Sequence, residues 1–421
     1  MKMTYRIFAF LTFLSLLIVP LAQGGTPSVP AIVKTSHGAN IQQVAVSLGG
    51  TVVDSIPDAD TYLLNITNIA AAQSPISAGI EWIEPNLVVS LDPILLQGIV
   101  KVPAGNASNW YLQQPAWQII QANQALQVSS GRGVIVADIN SAVDSFHPAI
   151  AGHLVGGFDF VANKPAGEAA LDQSSASFMD QSSASFMDQS SASFMDQSSA
   201  SFMDQSSASF MDATRTAYAH GTLCAGIIAA MAPRSMIMPL RVFDDQGHAD
   251  TFTIAKAIRY AAKNGSQVIN MSFGTLSPSN ALSSAVEFAE KSGAVLVASA
   301  GNHNTNQPQY PAALSGVIAV AATDLMDRKA SFSNFGPSVF TDAPGVQIFS
   351  AFPGNLYAVV SGTSFSAPAV AATAALIRDQ RASHIDETIA RASVNIDGKN
   401  PTYAGQLGHG RINVFSAVKQ R

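Results

Sequence analysis

A single cysteine, Cys224, among 421 residues excludes an intramolecular disulfide framework and any cysteine-rich metal site. Charge is scarce too. Asp, Glu, Lys and Arg make up 12% of the chain, about half the usual share for a soluble protein. The 22 basic residues are outnumbered by 28 acidic ones, for a net charge of −6, which leaves no basic footprint for nucleic acid. The hydrophobic fraction of 48% argues against general disorder, which goes with low hydrophobicity and high charge. Long apolar runs are missing except near the N-terminus. There Lys2 and Arg6 precede an apolar stretch over residues 7–19, and Ala22-Gln23-Gly24 offers small residues for cleavage. The run is short for a span of about 20 residues. Residues 1–24 therefore read as a secretory signal peptide, with a membrane anchor as the alternative. The mature chain is expected to be secreted or periplasmic and free of the membrane.

Part of the acidic balance is local. Residues 172–211 are five identical copies of DQSSASFM, begun by Asp172, Asp180, Asp188, Asp196 and Asp204. Without those five charges the remaining 381 residues stand at −1. An eight-residue period is too short for a helical solenoid. Three Ser per copy and no β-branched residue favour a mobile surface loop over a β-stacked insert.

Residues 25–104 read as a small α/β domain with an exposed linker. Strand-like runs lie at 43–48 and 61–66, the domain closes with Ile80-Glu81-Trp82-Ile83-Glu84-Pro85-Asn86, and a Pro- and Gly-bearing linker follows at 93–103. From about residue 130 short apolar strands alternate with amphipathic helices. Strands are expected at 134–139, 236–243, 267–273, 294–298 and 317–322, and helices at 253–264 and 281–291. Such alternation implies an α/β fold with a parallel sheet covered by helices on both faces.

Three clusters in this part carry chemistry. They are His220-Gly221-Thr222-Leu223-Cys224-Ala225-Gly226, Ser299-Ala300-Gly301-Asn302, and Ser361-Gly362-Thr363-Ser364-Phe365-Ser366-Ala367-Pro368. A hydroxyl at a helix N-terminus meets the positive end of the helix dipole and backbone N–H groups without helical partners. That suits a nucleophile whose transition state develops an oxyanion. The three clusters, in this order, resemble the histidine, oxyanion-hole and serine motifs of the subtilisin-like serine proteases. Further similarities are Arg241-Val242-Phe243, VINMSFG at 268–274, Tyr310-Pro311-Ala312, ASFSN at 330–334, Ala343-Pro344-Gly345 and residues 408–413, so that the resemblance covers about 108–421. It implies a secreted endopeptidase over 105–421, acting on protein or peptide substrates through an acyl-enzyme on Ser364. His220 would be the general base and then the general acid, and Asn302 an oxyanion donor. Ser272, Phe273 and Gly274, with Ala298, Ser299 and Ala300, would line the peptide-binding cleft. The domain at 25–104 resembles the family's propeptide, an intramolecular inhibitor; a permanent accessory domain is the alternative. Calcium is implied by the resemblance alone, and no ligand set or other cofactor can be matched in the sequence.

One position departs from the pattern. The family's first motif ends a strand in Asp-Thr/Ser-Gly and continues to His-Pro, whereas this chain reads Asp138-Ile139-Asn140-Ser141-Ala142-Val143-Asp144-Ser145-Phe146-His147-Pro148. Alignment on Val143-Asp144 and His147-Pro148 puts Asn140 where the catalytic Asp belongs. An amide accepts a hydrogen bond from imidazole but brings no charge and can select the wrong tautomer. The equivalent change in a serine protease lowers kcat by about 10⁴. The expectation is therefore an attenuated endopeptidase, against a pseudoprotease that binds peptides or partners without turnover. Asp138 lies roughly 6.6 Å further back along the strand and needs a bulge or a shifted His220 to reach the ring. A structural role for it is expected, with a partner for its buried charge. Asp144 is expected to order the turn, and Cys224 to pack behind His220.

Overall fold

The computed structural model describes residues 28–67, 79–101, 107–166 and 217–420. The expected signal at 1–24 and the repeat at 172–211 lie outside these residues. The chain divides into two compact units, Met1–Pro85 and Asn86–Arg421.

In the smaller unit, β1 (Val29–Thr35), β2 (Gly50–Ile56), β3 (Thr61–Ile66) and β4 (Ile80–Pro85) form an antiparallel sheet in the order β2-β3-β1-β4. The run at 43–48, read as strand-like, belongs instead to the helix Ile41–Ser47. Two features override its β propensity. The Asn40 side chain caps the helix by accepting from the N–H groups of Gln42 and Gln43. Ile41, Val44, Ala45 and Leu48 then fall at helical spacing and join Val33 and Leu64 in the core.

The larger unit begins with β5 (Val88–Ser90) and β6 (Leu95–Val100), so the stretch expected as an exposed linker carries a strand. Its central sheet uses β7 (Ile135–Asn140), β8 (Gly157–Asp159), β9 (Lys164–Ala166), β10 (Met236–Arg241), β12 (Val268–Met271), β13 (Val295–Ser299), β14 (Val317–Thr323) and β15 (Thr341–Pro344). The order is β15-β14-β13-β12-β7-β10-β8-β9, parallel throughout except for the β8–β9 edge. β13 and β14 are mainly apolar, as strands covered on both faces are, whereas β7 and β12 carry Asp138, Asn140 and Asn270 within the sheet. Two smaller sheets flank this one. β11 (His248–Asp250) pairs antiparallel with β5, and β16 (Ile348–Phe352) and β17 (Leu356–Ser361) form a three-stranded sheet with β6.

Helices His220–Met231 and Thr363–Asp379, here the histidine and serine helices, pack on each other. The histidine helix is buried along its whole length and the serine helix over 363–377. Alanines and other small side chains dominate the serine helix and let the two backbones approach closely. Helices Thr251–Lys263 and Asn280–Lys291 form a second packed pair, each amphipathic and each with a side-chain N-cap, Asp250 and Ser279. β7, β12 and β13 are adjacent and parallel, so Asn140, Ser272 and Ala300 emerge at one edge of the sheet. The carboxyl ends of parallel strands are where open α/β sheets place their sites.

Candidate active site

The site is assembled by two close approaches. In the first, the histidine helix starts directly against the loop after β7. A Cβ at Gly221 would stand 2.5 Å from the Ser141 carbonyl oxygen and 2.6 Å from that of Ala142, so only glycine fits. The Gly221 N–H donates to Ser141 Oγ at 3.0 Å. This contact sets His220 Nδ1 2.7 Å from Asn140 Oδ1. The same oxygen accepts the Ser141 N–H at 2.9 Å, and Asn140 Nδ2 donates to Asp138 Oδ1 at 3.2 Å. Asp138 is fully buried and also accepts from Asn270 Nδ2 at 2.8 Å.

In the second, Gly301 turns the chain out of β13 at φ 107°, and a Cβ there would fall 1.7 Å from the Gln309 side-chain oxygen. The turn delivers Asn302 to the start of the serine helix. Asn302 Oδ1 accepts from the Thr363 N–H at 2.8 Å and from its hydroxyl at 2.9 Å, which leaves the amide nitrogen facing outward. Ser364 is the second residue of that helix, where backbone N–H groups lack helical partners. Its hydroxyl donates to the Ser272 carbonyl at 3.1 Å, and Ser272 Oγ returns a bond to the Ser364 carbonyl at 2.9 Å. The His220 ring lies 5.6 Å from that of Phe365, and Cys224 Sγ lies 3.4 Å from the Ser364 carbonyl oxygen. His220 and Asn302 thus contact Phe365 and Thr363, the two residues that flank Ser364.

The electrostatics follow from burial. Desolvation pushes His220 down to about 4, so its imidazole is neutral through the ordinary pH range. Desolvation raises Asp138 to about 7 against the opposing pull of the Asn270 and Asn140 amides. The Cys224 thiol is raised well above its usual range by burial first and the Asp138 carboxylate second, which leaves it an inert packing group. Strand β7 keeps a regular register with β10 and β12, so no bulge carries Asp138 to the imidazole; its contact is with Asn140. Asp144 orders the following turn, accepting from the N–H groups of Phe146 and Gly354 at 3.0 Å each.

The residues read as cleft-lining are brought unequally to this place. Ser272 joins the hydrogen-bond network, Phe273 packs its ring 5.2 Å from that of Phe243, and Gly274 lies against Gln309. Ala298 is inside the sheet, paired with Met271 and Ala319, while Ser299 and Ala300 continue β13 toward Asn302. Sequence reasoning missed Asn270 as the partner of Asp138; an amide amid the apolar residues of VINM was its only signal. It also missed β11, whose edge is occupied by the chain's own β5. This segment is held at several points. Asn86 accepts from the Phe252 N–H at 3.0 Å, the Leu91 N–H donates to the Gly247 carbonyl at 2.9 Å, and Asp92 Oδ2 accepts from Asn302 Nδ2 at 2.8 Å.

Among the described residues no group of three or more His, Cys, Asp or Glu is assembled to hold a metal ion. No helix among them is long and apolar enough to cross a membrane.

The profile of the subtilase family matches residues 131–410. Thermitase of Thermoactinomyces vulgaris is 35% identical over 314 residues, covering 72% of this chain and 94% of that protein. A thermophilic serine proteinase of Bacillus sp. (strain AK1) is 30% identical over 410 residues, covering 92% of this chain and 86% of the relative. The crystal structure of fervidolysin from Fervidobacterium pennivorans superposes with a TM-score of 0.70 at 22% identity, over 96% of this chain and 62% of that one. At that identity the likeness concerns the fold.

Proposed function

The chain belongs to the subtilase family of serine proteases, and from that premise we propose that it is a secreted or periplasmic endopeptidase that hydrolyses peptide bonds through an acyl-enzyme on Ser364. The observation that carries this reading is that His220 and Asn302 contact Phe365 and Thr363, the residues on either side of Ser364, on the first turn of one buried helix. The Ser364 hydroxyl turns from the Ser272 carbonyl to His220 Nε2, gives up its proton there and bonds to the scissile carbonyl carbon. The resulting oxyanion accepts hydrogen bonds from Asn302 Nδ2 and the Ser364 N–H, the first worth roughly 3–4 kcal/mol in the transition state. On collapse the C–N bond breaks, and the proton on Nε2 passes to the leaving amine. Water then repeats the sequence to free the enzyme. Phe273, Gly274, Ser299 and Ala300 are proposed as the wall along which substrate lies, with Ser272 bonded behind it and Ala298 inside the sheet.

The segment following the small domain acts as an intramolecular inhibitor in this reading. Its support is the Asp92 carboxylate, which occupies the Asn302 donor that the oxyanion would use. Activity then requires removal of the signal and displacement of residues 86–92.

Asn140 in the acid position favours a second reading, a pseudoprotease that binds peptides with little turnover. A fluorophosphonate probe separates the two. An endopeptidase labels at Ser364 and loses the label in His220→Ala. Labelling that appears only after Asn140→Asp marks the native protein as the pseudoprotease, and no labelling in either folded protein refutes the protease reading.

A further inference from the structure

The proposed reaction leaves one buried charge unused. Asp138 sits inside the central sheet, between Pro239 of β10 and Asn270 of β12, two residues behind the amide that replaces the expected acid. Burying a carboxylate is costly unless its partners repay it, and its two side-chain partners are the amides of Asn270 and Asn140. The Asn140 amide is held at both ends. A backbone N–H can only donate, so the Asn140 atom 2.9 Å from the Ser141 N–H is the oxygen. An ionised carboxylate can only accept, so the atom facing Asp138 is the amide nitrogen. The oxygen is therefore the atom 2.7 Å from His220 Nδ1, and Nδ1 must carry the proton. This leaves the Nε2 lone pair free to act as base. With the amide reversed, its N–H₂ would donate to Nδ1, the imidazole proton would move to Nε2, and the base would be lost.

We propose that Asp138 is a positioning residue that supplies the missing acid's function at one remove, holding the Asn140 carbonyl toward His220 and so fixing the imidazole tautomer. The inference rests on the reading of His220 as base and Ser364 as nucleophile. In the reaction Asp138 and Asn140 exchange no proton; the proton of Ser364 travels only to Nε2 and from there to the leaving amine. When Nε2 is protonated, the Asp138 charge acts on the imidazolium through a polarised amide, because hydrogen bonds in a chain strengthen one another in a low-dielectric interior. The groups facing Asp138 are Asn140 on its own strand, Asn270 on β12, Pro239 on β10 and Cys224 on the histidine helix. Of these only the Cys224 thiol titrates, and His220 lies one amide beyond. Burial places the ionisation of Asp138 at about 7, so its charge develops near neutral pH.

The test compares Asp138→Leu, Asp138→Asn, Asn140→Asp and Asp138→Leu/Asn140→Asp in the full-length chain after activation, with a peptide substrate and with ¹⁵N NMR of the His220 ring. Asp138→Leu is expected to lower kcat by about 10²-fold, within the 10⁴ bound set by loss of the acid, with KM changed less than about twofold. Its ring proton should be divided between Nδ1 and Nε2, because only the Ser141 N–H then holds the Asn140 oxygen toward the ring. Adding Asn140→Asp to Asp138→Leu should restore kcat to at least the wild-type value, which a merely structural role for Asp138 would not allow. Asp138→Asn, nearly isosteric, keeps the proposal testable if the leucine variant does not fold; it should lose the rise in kcat through neutral pH. The proposal is overturned if the wild-type ring carries its proton on Nε2, or if Asp138→Asn leaves kcat and its pH profile unchanged. Absence of fluorophosphonate labelling in both wild type and Asn140→Asp would instead remove the protease reading, while the ring tautomer still decides the role of Asp138.

Discussion

The two halves of the site are built by different means. On the oxyanion side, Asn302 is locked by the backbone N–H and hydroxyl of Thr363, and Ser364 is set by the first turn of a buried helix. Each of these groups is one hydrogen bond from a main-chain atom. On the base side, His220 is oriented by the side chain of Asn140, whose oxygen accepts the Ser141 N–H and whose nitrogen is held by Asp138, itself braced by Asn270. Backbone-anchored groups keep their direction when a neighbour changes, whereas a relay of side chains is only as directional as its least determined amide. The Asn302–Ser364 half is therefore fixed by main-chain atoms, while the His220 half depends on a chain of side chains.

The largest expected effect would break both halves together. Ser364→Ala or His220→Ala should lower kcat by about 10⁴–10⁵, the full-triad loss less the share already forgone at Asn140, and the double variant should lose little more, because the two act as one unit; single-turnover hydrolysis of a peptide ester measures this. Next, Asn302→Leu should cost about 10²–10³ in kcat with KM nearly unchanged, as loss of one oxyanion donor does. On the base side, Asn140→Asp should raise kcat by about 10–100-fold, part of the 10⁴ that an acid at this position controls. A carboxylate beside the ring also favours the imidazolium, so the His220 ring in Asn140→Asp should titrate above its wild-type value of about 4, as ring NMR would read. The Asp92 contact is worth less. One charge-assisted hydrogen bond of about 1.5–3 kcal/mol predicts that Asp92→Ala shortens the lag before activity appears by about tenfold, read from a progress curve on newly refolded protein.

The smallest effect concerns stability and runs against activity. Asp138 is raised from 3.8 to about 7 by burial, so the unfolded chain ionises first and the folded state holds the extra proton between those values. Stability should therefore fall as pH rises from about 4 to about 7, by at most roughly 4 kcal/mol, and level off above. Asp138→Asn should flatten this slope and be the more stable protein at pH 8, as urea unfolding at pH 5 and pH 8 would show. A variant that gains stability while losing turnover would sharpen the contrast between the two halves.

Much of this molecule was legible beforehand. Five of the parallel strands, β7, β10, β12, β13 and β14, and the helix after Asp250 follow from apolar period and capping, because residues covered on both faces have little freedom of type; β8 and β15 are too short to stand out. Residues 43–48 misled because valines at helical and strand spacing look alike over so short a run; the Asn40 cap and the packing of Leu48 decided it. The strand at Leu95–Val100 was hidden for a related reason, since its pairing partner, β17, lies some 260 positions away. Among site residues, His220, Asn302 and Ser364 stood out through their neighbours. Asn270 did not, because a polar residue within a buried strand announces a need for a partner without naming it.

The sequence by itself determined the composition of the site: a histidine and a serine at helix starts, an asparagine after a strand, and an amide where a charge was expected. Only the tertiary structure decided what that amide does. Residues 138 and 140 share one face of β7, and the regular register of β7 against β12 sets Asn270 beside Asp138. The direction of an amide depends on which atoms face its two ends, and those atoms come from a strand, a loop and a helix distant in the chain.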